Sequence, residues 1–538
     1  MKIGLHYLNG NLEINLNKIF FKDIYETSNI EIGVDGFLIL NKNIEDSLTE
    51  KTLEQIHNLY NKHGIHLVEK IKTGRFNLVI LDKIKKKLFL VSDYFGKIPV
   101  YYTDDGEFQF SSNIKNLPGN SIDWVGLSQY LKYSFMLGDR TQYGNIKVSP
   151  PHSVMEYDIK NKKKKLYSYK AKPSVATDDV EKLFKQACNR LYTDKLDYVI
   201  SLSGGIDSRF VLYHWKNKKD LIATTGYLDA EGELIDEDVQ IAKKFLENID
   251  VKKHVINKSV IMNVNQLNEK LDKYNPFDVK KIKRNVTKPT FDRNVILGGH
   301  NGPVLSGEYM LLRHRLFILT LLTGHQFKTV SASIYNKGIS KTPDDVKEYM
   351  SEFVRKNFIS FPLDKDRYNV EHYHLFNKIR RITDDRKTEL LEPFSDWDVY
   401  LNCKNLKNRV NNKIYYNLIQ KMPREYKEVR VTRYSYPLIY PRRLQYLSMI
   451  IKDVKRNFVK QDINKKEGIG GLIEKKSDLM EYMVKTIEEA DTCSKIGSLT
   501  NKVSGGKYGQ FFYLLFILSY WFKNEVQNMD VLKNEISD

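Results

Sequence analysis

The residues best suited to chemistry lie in the stretch YVISLSGGIDSR, residues 198–209. An apolar run reads as a buried strand ending at Leu202, the turn Ser203-Gly204-Gly205 follows, and a helix is expected from about Asp207. Two glycines let the backbone bend sharply and approach a ligand with no Cβ in the way. The turn amides and the first helical amides are expected to converge on one concavity, which makes an anion site. Ser203 and Ser208 add hydroxyl donors. Asp207 alone would repel phosphate, so its presence points to a bridging Mg²⁺ with Asp207 as its ligand. A bare SGG is no more than a glycine turn with a serine cap. The complete strand, SGGIDS and helix unit reads as a nucleotide-binding loop at the carboxyl end of a parallel strand.

The flanking segments supply that setting. Strands are expected at 198–202, 221–227, 253–256 and 295–297, alternating with helices at 208–215 and 236–246. Alternating βα units with continuous apolar strands predict an α/β fold with a parallel, doubly wound sheet. Just before them, Val180, Leu183, Phe184, Ala187, Cys188 and Leu191 recur at helical spacing. Cys188 lies on that apolar face and reads as a buried small residue. The first 115 residues are β-rich, with strands expected at 30–40, 76–81, 88–92, 100–103 and 107–111 and a helix at 52–63. Residues 121–170 read as a connector with a short helix at 127–133, a loop holding Pro150 and Pro151, and a lysine-rich hairpin. From Met310 onward the chain reads as mostly helical.

Composition narrows the function classes. The 538 residues carry 86 Lys and Arg against 67 Asp and Glu, a net charge of +19. The charge is spread along the chain, and no segment interleaves arginine with glycine or aromatics, so a nucleic-acid partner is not expected. The three cysteines, Cys188, Cys403 and Cys493, are far apart, which argues against a disulfide framework or a cysteine-based zinc site and fits the reducing cytoplasm. The N-terminus has no apolar signal core. The longest apolar run, residues 511–522, is too short to span a bilayer and reads as a buried helix, so no membrane partner is expected.

The SGGIDS unit resembles the pyrophosphate-binding loop (PP-loop) of the N-type ATP pyrophosphatases, and within that group the chain resembles the asparagine synthetase family. Two further stretches carry the likeness. SDYFGKIPVYYTDDGEFQFSS, residues 92–112, is similar to the family's glutaminase-domain signature. VILGGHNGPVLSGEY, residues 295–309, stands at the place of its second active-site strand and loop. The resemblance implies an N-terminal class II amidotransferase-like α+β sandwich with connector over 1–170, and a C-terminal ATP-using synthetase domain with a helical C-terminal part over 171–538. It implies ATP and Mg²⁺ held by Ser203, Gly204, Gly205, Asp207, Ser208 and Gly299, and the adenylation of a carboxylate on a small molecule or a peptide. A homodimer is compatible with it.

The chain departs from the family at three places. A working glutaminase domain needs cysteine as its first residue after the initiator methionine, and here Lys2 stands there. Glutamine hydrolysis by that route is therefore not expected, as in the branches resembling β-lactam synthetases and lasso-peptide cyclases. In the second loop, Pro303 stands where the family's metal-assisting aspartate falls; Glu308 is a substitute if the loop is shifted, and His300 is a candidate base. The stretch INKKEGIGG, residues 463–471, resembles the family loop whose lysine neutralises the reacting acyl-phosphate, with Lys465 or Lys466 as candidate. Asp236, Glu237 and Asp238 read as acids on the positive end of a helix. The expected activity is an ATP-dependent, amide-forming ligase. Ammonia-dependent asparagine synthesis, a non-catalytic homologue and a tRNA-modifying enzyme are the alternatives.

Overall fold

The computed structural model describes residues 4–8, 11–15, 24–49, 51–103, 105, 108–123, 126–127, 130, 136, 138–171, 173–174, 177–228, 237–279, 283–285, 294–299, 302, 388–403, 413–432, 436–441, 443–445, 448, 477–490 and 510–526.

The amino-terminal half is built on two antiparallel sheets. One takes strands β1 (Gly4–Leu8), β2 (Asn11–Asn15), β7 (Tyr101–Thr103), β8 (Gln109–Ser111) and β9 (Lys147–Val148) in the order β2-β1-β8-β7-β9. The other takes β3 (Tyr25–Glu26), β4 (Ile30–Ile39), β5 (Thr73–Asp82), β6 (Lys87–Ser92), β10 (Ser153–Asp158) and β11 (Lys163–Ser168) in the order β11-β10-β6-β5-β4-β3. The alternation of side chains along β5 explains the layering. Val79 and Leu81 join Tyr7, Tyr102 and Phe110 of the first sheet in one core. Phe76, Leu78 and Ile80 point the other way, into a larger core shared with helix α1 (Lys51–His63) and with the carboxyl half. A strand buried on both faces has to be apolar at successive positions, which is why residues 78–81 read as an uninterrupted run.

Helix α2 (Val180–Arg190) follows, capped by Asp179, whose side chain accepts from the Lys182 amide at 3.1 Å. Its apolar stripe, including the fully buried Cys188, enters the larger core as its spacing predicts.

The third sheet contains β12 (Asp197–Ser201), β13 (Ile222–Leu228), β14 (Lys253–Ile261), β15 (Lys283–Asn285), β16 (Asn294–Leu297) and β17 (Thr388–Leu391), ordered β15-β14-β13-β12-β16-β17. All neighbours pair in parallel except β14 with β15. The chain moves outward from β12 through β13 to β14, then returns to β12's other side with β16 and β17. Strand order therefore reverses at β12, the point where open α/β sheets open a crevice outside their carboxyl ends. Helix α3 (Ile206–His214) leaves β12, and α4 (Glu237–Leu246) and α5 (Val264–Lys273) follow β13 and β14.

Two parts of the sheet escape the sequence reading. Strand β17 lies in a region expected to be helical, and β15 is an antiparallel edge strand in a sheet expected to be parallel throughout. Four and three residues are too few to show a strand period against polar surroundings. Helix α6 (Trp397–Cys403) comes next, then α7 (Lys413–Lys421), α8 (Ser477–Glu489) and α9 (Gln510–Trp521). Helix α9 is the apolar carboxyl-terminal run, and its side chains from Tyr513 to Trp521 lie in a core with Leu479, Met483 and Phe277. Among the described residues, no helix is long and apolar enough to cross a membrane.

The two halves are joined by packing and by buried charge. Trp397 and Tyr400 of α6 meet Phe76, Tyr94 and Phe95 at ring separations of 5.1–6.3 Å. Arg75 of β5 pairs with Glu389 of β17 at 3.4 Å, and Lys97 pairs with Glu392 with both side chains buried.

Candidate active site

Strand β12 delivers the chain to the switch point, where Leu202 still bonds the sheet through Thr224 at 2.8 Å. Gly205 then stands at the N-cap of α3 and offers the first helical amides no side-chain acceptor. Those donors are the part of a helix end that takes an anion.

The turn amides have protein partners. Ser203 N–H donates to Ser208 Oγ at 3.2 Å, and Gly205 N–H to Ser203 Oγ at 3.1 Å. Gly204 N–H donates to Asp238 Oδ1 at 3.1 Å. The expectation that these three converge on an open concavity is thus corrected: an incoming anion has to take the place of two serine hydroxyls and a carboxylate. All three are movable side-chain acceptors, and exchange on a preformed turn leaves the backbone where it is.

The second loop meets the first. Gly298 continues the sheet by donating to Leu391 O at 2.9 Å. A Cβ on Gly299 would lie 2.7 Å from Ser208 N and 2.9 Å from the carbonyl carbon of Asp207. A Cβ on Gly302 would lie 2.1 Å from Asp207 Oδ1. Gly299 therefore belongs beside Asp207 and Ser208, as its placement in the family pattern implies, and glycine is the residue that such backbone approach permits.

Distant segments complete the site. The Tyr415 hydroxyl of α7 donates to Asp207 Oδ1 at 2.6 Å. Thr432 N–H donates to Gly204 O at 3.0 Å, and the Thr432 hydroxyl donates to Asp238 Oδ1. Arg430 pairs with Glu237. Arg209, 1% exposed, donates to Val429 O at 2.6 Å and Arg430 O at 2.7 Å, and burial lowers its pKa. Asp238, read in the sequence as a charge on a helix end, reaches the turn itself.

Of the expected site residues, Ser203, Gly204, Gly205, Asp207, Ser208 and Gly299 lie together. His300, Lys465 and Lys466 lie outside the described residues, as do Lys2, Asp236, Pro303 and Glu308. Among the described residues no group of three or more His, Cys, Asp or Glu is arranged to hold a metal. Tyr415, Thr432, Asp238 and Arg209 escape sequence reasoning. Arg209 alone leaves a local trace: a charge directly after the motif, in a helix that continues Phe210, Val211 and Leu212.

Residues 40–169 match the glutamine amidotransferase domain family. The chain is also 25% identical over 265 residues to "Asparagine synthetase [glutamine-hydrolyzing] 2" of Bacillus subtilis (strain 168), covering 43% of this chain and 35% of that protein. Both matches agree with the resemblance to the asparagine synthetase family. The chain spans about a third of the length of that curated relative. Two solved structures are similar at 10% identity. The allosteric regulatory enzyme of purine biosynthesis matches 53% of this chain and 57% of its own at a TM-score of 0.19. The glutamine phosphoribosylpyrophosphate amidotransferase from B. subtilis matches 56% and 62% at 0.18. Similarity at that level bears on neither fold nor function. The architecture rests on the chain's own sheets, antiparallel in the amino-terminal half and mainly parallel in the other.

Proposed function

We propose that the chain is an ATP-dependent ligase that adenylates a substrate carboxylate and joins it to an amine or ammonia without hydrolysing glutamine. The observation that carries this reading is the meeting of the 203–208 turn with Gly299 and Gly302 at the reversal of strand order beside β12. Serine hydroxyls, helix-end amides and a neighbouring carboxylate are the donor set that a magnesium-bound triphosphate requires. Asp207 and Asp238 border the turn and would hold Mg²⁺, which when bound neutralises pyrophosphate charge. The turn and the amino end of α3 hold the phosphates, and the closely packed glycines keep side chains out of that space. The chain acts by positioning and charge stabilisation, with no covalent nucleophile.

Independence from glutamine is supported by cysteine placement. Residues 40–169 hold no cysteine, and Cys188 is fully buried, where desolvation pushes its thiol well above the ordinary value. Such a thiol does not attack an amide.

The test is exchange of labelled pyrophosphate into ATP, run with candidate carboxylates. Exchange that depends on a carboxylate is expected, and persistent absence with a substrate shown to bind overturns the reading in favour of a non-catalytic homologue. A second reading follows from the curated relative's name. Aspartate and ammonia are therefore the first pair to assay, and AMP release requiring both would identify ammonia-dependent asparagine synthesis. The carboxylate is otherwise assigned by class alone, as a small molecule or a peptide.

A further inference from the structure

Arg209 is among the largest fully buried side chains of the protein. Its two terminal guanidinium nitrogens bond the carbonyls of Val429 and Arg430, and its guanidinium carbon lies 4.6 Å from the centre of the Phe245 ring. Among the described residues no carboxylate pairs with it. A buried cation held only by two carbonyls and a ring is costly to desolvate. The arrangement makes structural sense if the fork is what matters, because a planar guanidinium can grip two successive carbonyls at once and an ammonium cannot.

What the fork grips is the first two residues of the segment 429–432. The other end of that short segment lies on the turn. Thr432 N–H donates to Gly204 O, and the Thr432 hydroxyl shares Asp238 Oδ1 with the Gly204 amide. Between them Arg430 is tied to Glu237 at the start of α4. The segment thus bridges from the first turn of α3 back to the glycine two residues before that helix. A Cβ on Gly204 would lie 2.2 Å from Thr432 Oγ1, so the turn and the segment are shaped to one another.

We propose that Arg209 is a positioning residue for nucleotide binding: by holding residues 429–432 against Gly204, it fixes the shape of the phosphate-binding turn and couples that turn to the 429–432 segment. The nucleotide part rests on the ATP reading above. The coupling part rests only on the contacts.

The experiment uses the full chain and two variants, Arg209→Lys, which keeps the charge and loses the fork, and Thr432→Val, which releases the other end at nearly constant volume. Amide hydrogen exchange is followed over residues 203–208 and 429–432, and Mg²⁺-ATP binding by calorimetry. Arg209→Lys is expected to speed exchange in both stretches, with protection elsewhere unchanged. Each single variant is expected to weaken ATP binding about tenfold, consistent with the loss of one or two hydrogen bonds. The double variant should lose less than the product of the two, since one bridge is broken twice. Unchanged exchange in Arg209→Lys overturns the coupling. Faster exchange with undiminished ATP affinity overturns the role in nucleotide binding. If the unmodified chain takes up no ATP, the function proposed above falls, and exchange alone then decides whether Arg209 positions the turn.

Discussion

The Tyr415 hydroxyl and the Asp207 carboxylate are 2.6 Å apart, although 208 positions separate them in the chain. The donor arrives on α7, a helix apart from the parallel sheet, and meets the one acid of the SGGIDS motif. A hydrogen bond to a carboxylate holds its plane in one orientation and contributes about 1.5–3 kcal/mol. Tyr415→Phe removes that bond at constant shape. The variant is expected to need about tenfold more Mg²⁺ for half-maximal ATP binding. Calorimetric titration at several Mg²⁺ concentrations reads this directly. An unchanged Mg²⁺ requirement would show that Asp207 does not hold the ion.

Gly299 gives a second prediction. Its missing side chain is the space occupied by the backbone at Asp207 and Ser208, with contacts of 2.7–3.0 Å for a Cβ placed there. Backbone cannot rotate away as a long side chain can. Gly299→Ala should therefore push the two loops apart and cost at least about tenfold in ATP affinity, an effect of about 1.4 kcal/mol or more. Gly226→Ala is the control, because the nearest atom to its Cβ would be 3.9 Å away. Equal behaviour of the two variants in ATP titrations would refute the close-packing account.

Much of this was legible in the residues because it is local. The helical spacing from Val180 to Cys188, the apolar strand before Ser203 and the glycine pair after it are all contained within a dozen positions, and the observed elements begin and end within a residue or two of their expected bounds. The relations that complete the site are not local. Asp238 was readable as an acid at a helix start, while its approach to Gly204 depends on β12 and β13 being neighbours. Tyr415 and Thr432 are two of many tyrosines and threonines, and nothing within their own segments marks them. Helix α3 also begins one position before the residue where the motif suggested, because Gly205 serves as its cap.

The ion pair between Lys97 and Glu392 ties the amino-terminal half to the segment after β17, with side-chain exposures of 7% and 5%. Burying both charges is expensive, so the pair itself need not add stability, but stranding either partner does harm. Lys97→Met and Glu392→Met should each destabilise the chain by about 3–5 kcal/mol, and the double variant carrying both should regain most of that loss. Urea unfolding of the three variants checks it. Additive losses in the double variant would show that the two side chains act independently.

Asp93 provides the pH test. Its carboxyl is fully buried, which raises its pKa from 3.8 to about 6 despite the amides of Phe95 and Lys97 and the positive charges of Lys97 and Arg75. A raised value means that the folded chain holds this proton more tightly than the unfolded chain does. The group's favourable contribution is then complete below about pH 4, falls as the pH rises, and is gone above about pH 6. The full change is about 3 kcal/mol, from a shift of about two units. Asp93→Asn cannot titrate, so the stability of the native chain relative to this variant should drop by about that amount between about pH 4 and about pH 7. Urea unfolding across that range measures the difference. A relative stability that instead rises with pH would mean the carboxylate is the favoured form in the fold, and that the two backbone amides and Lys97 outweigh burial.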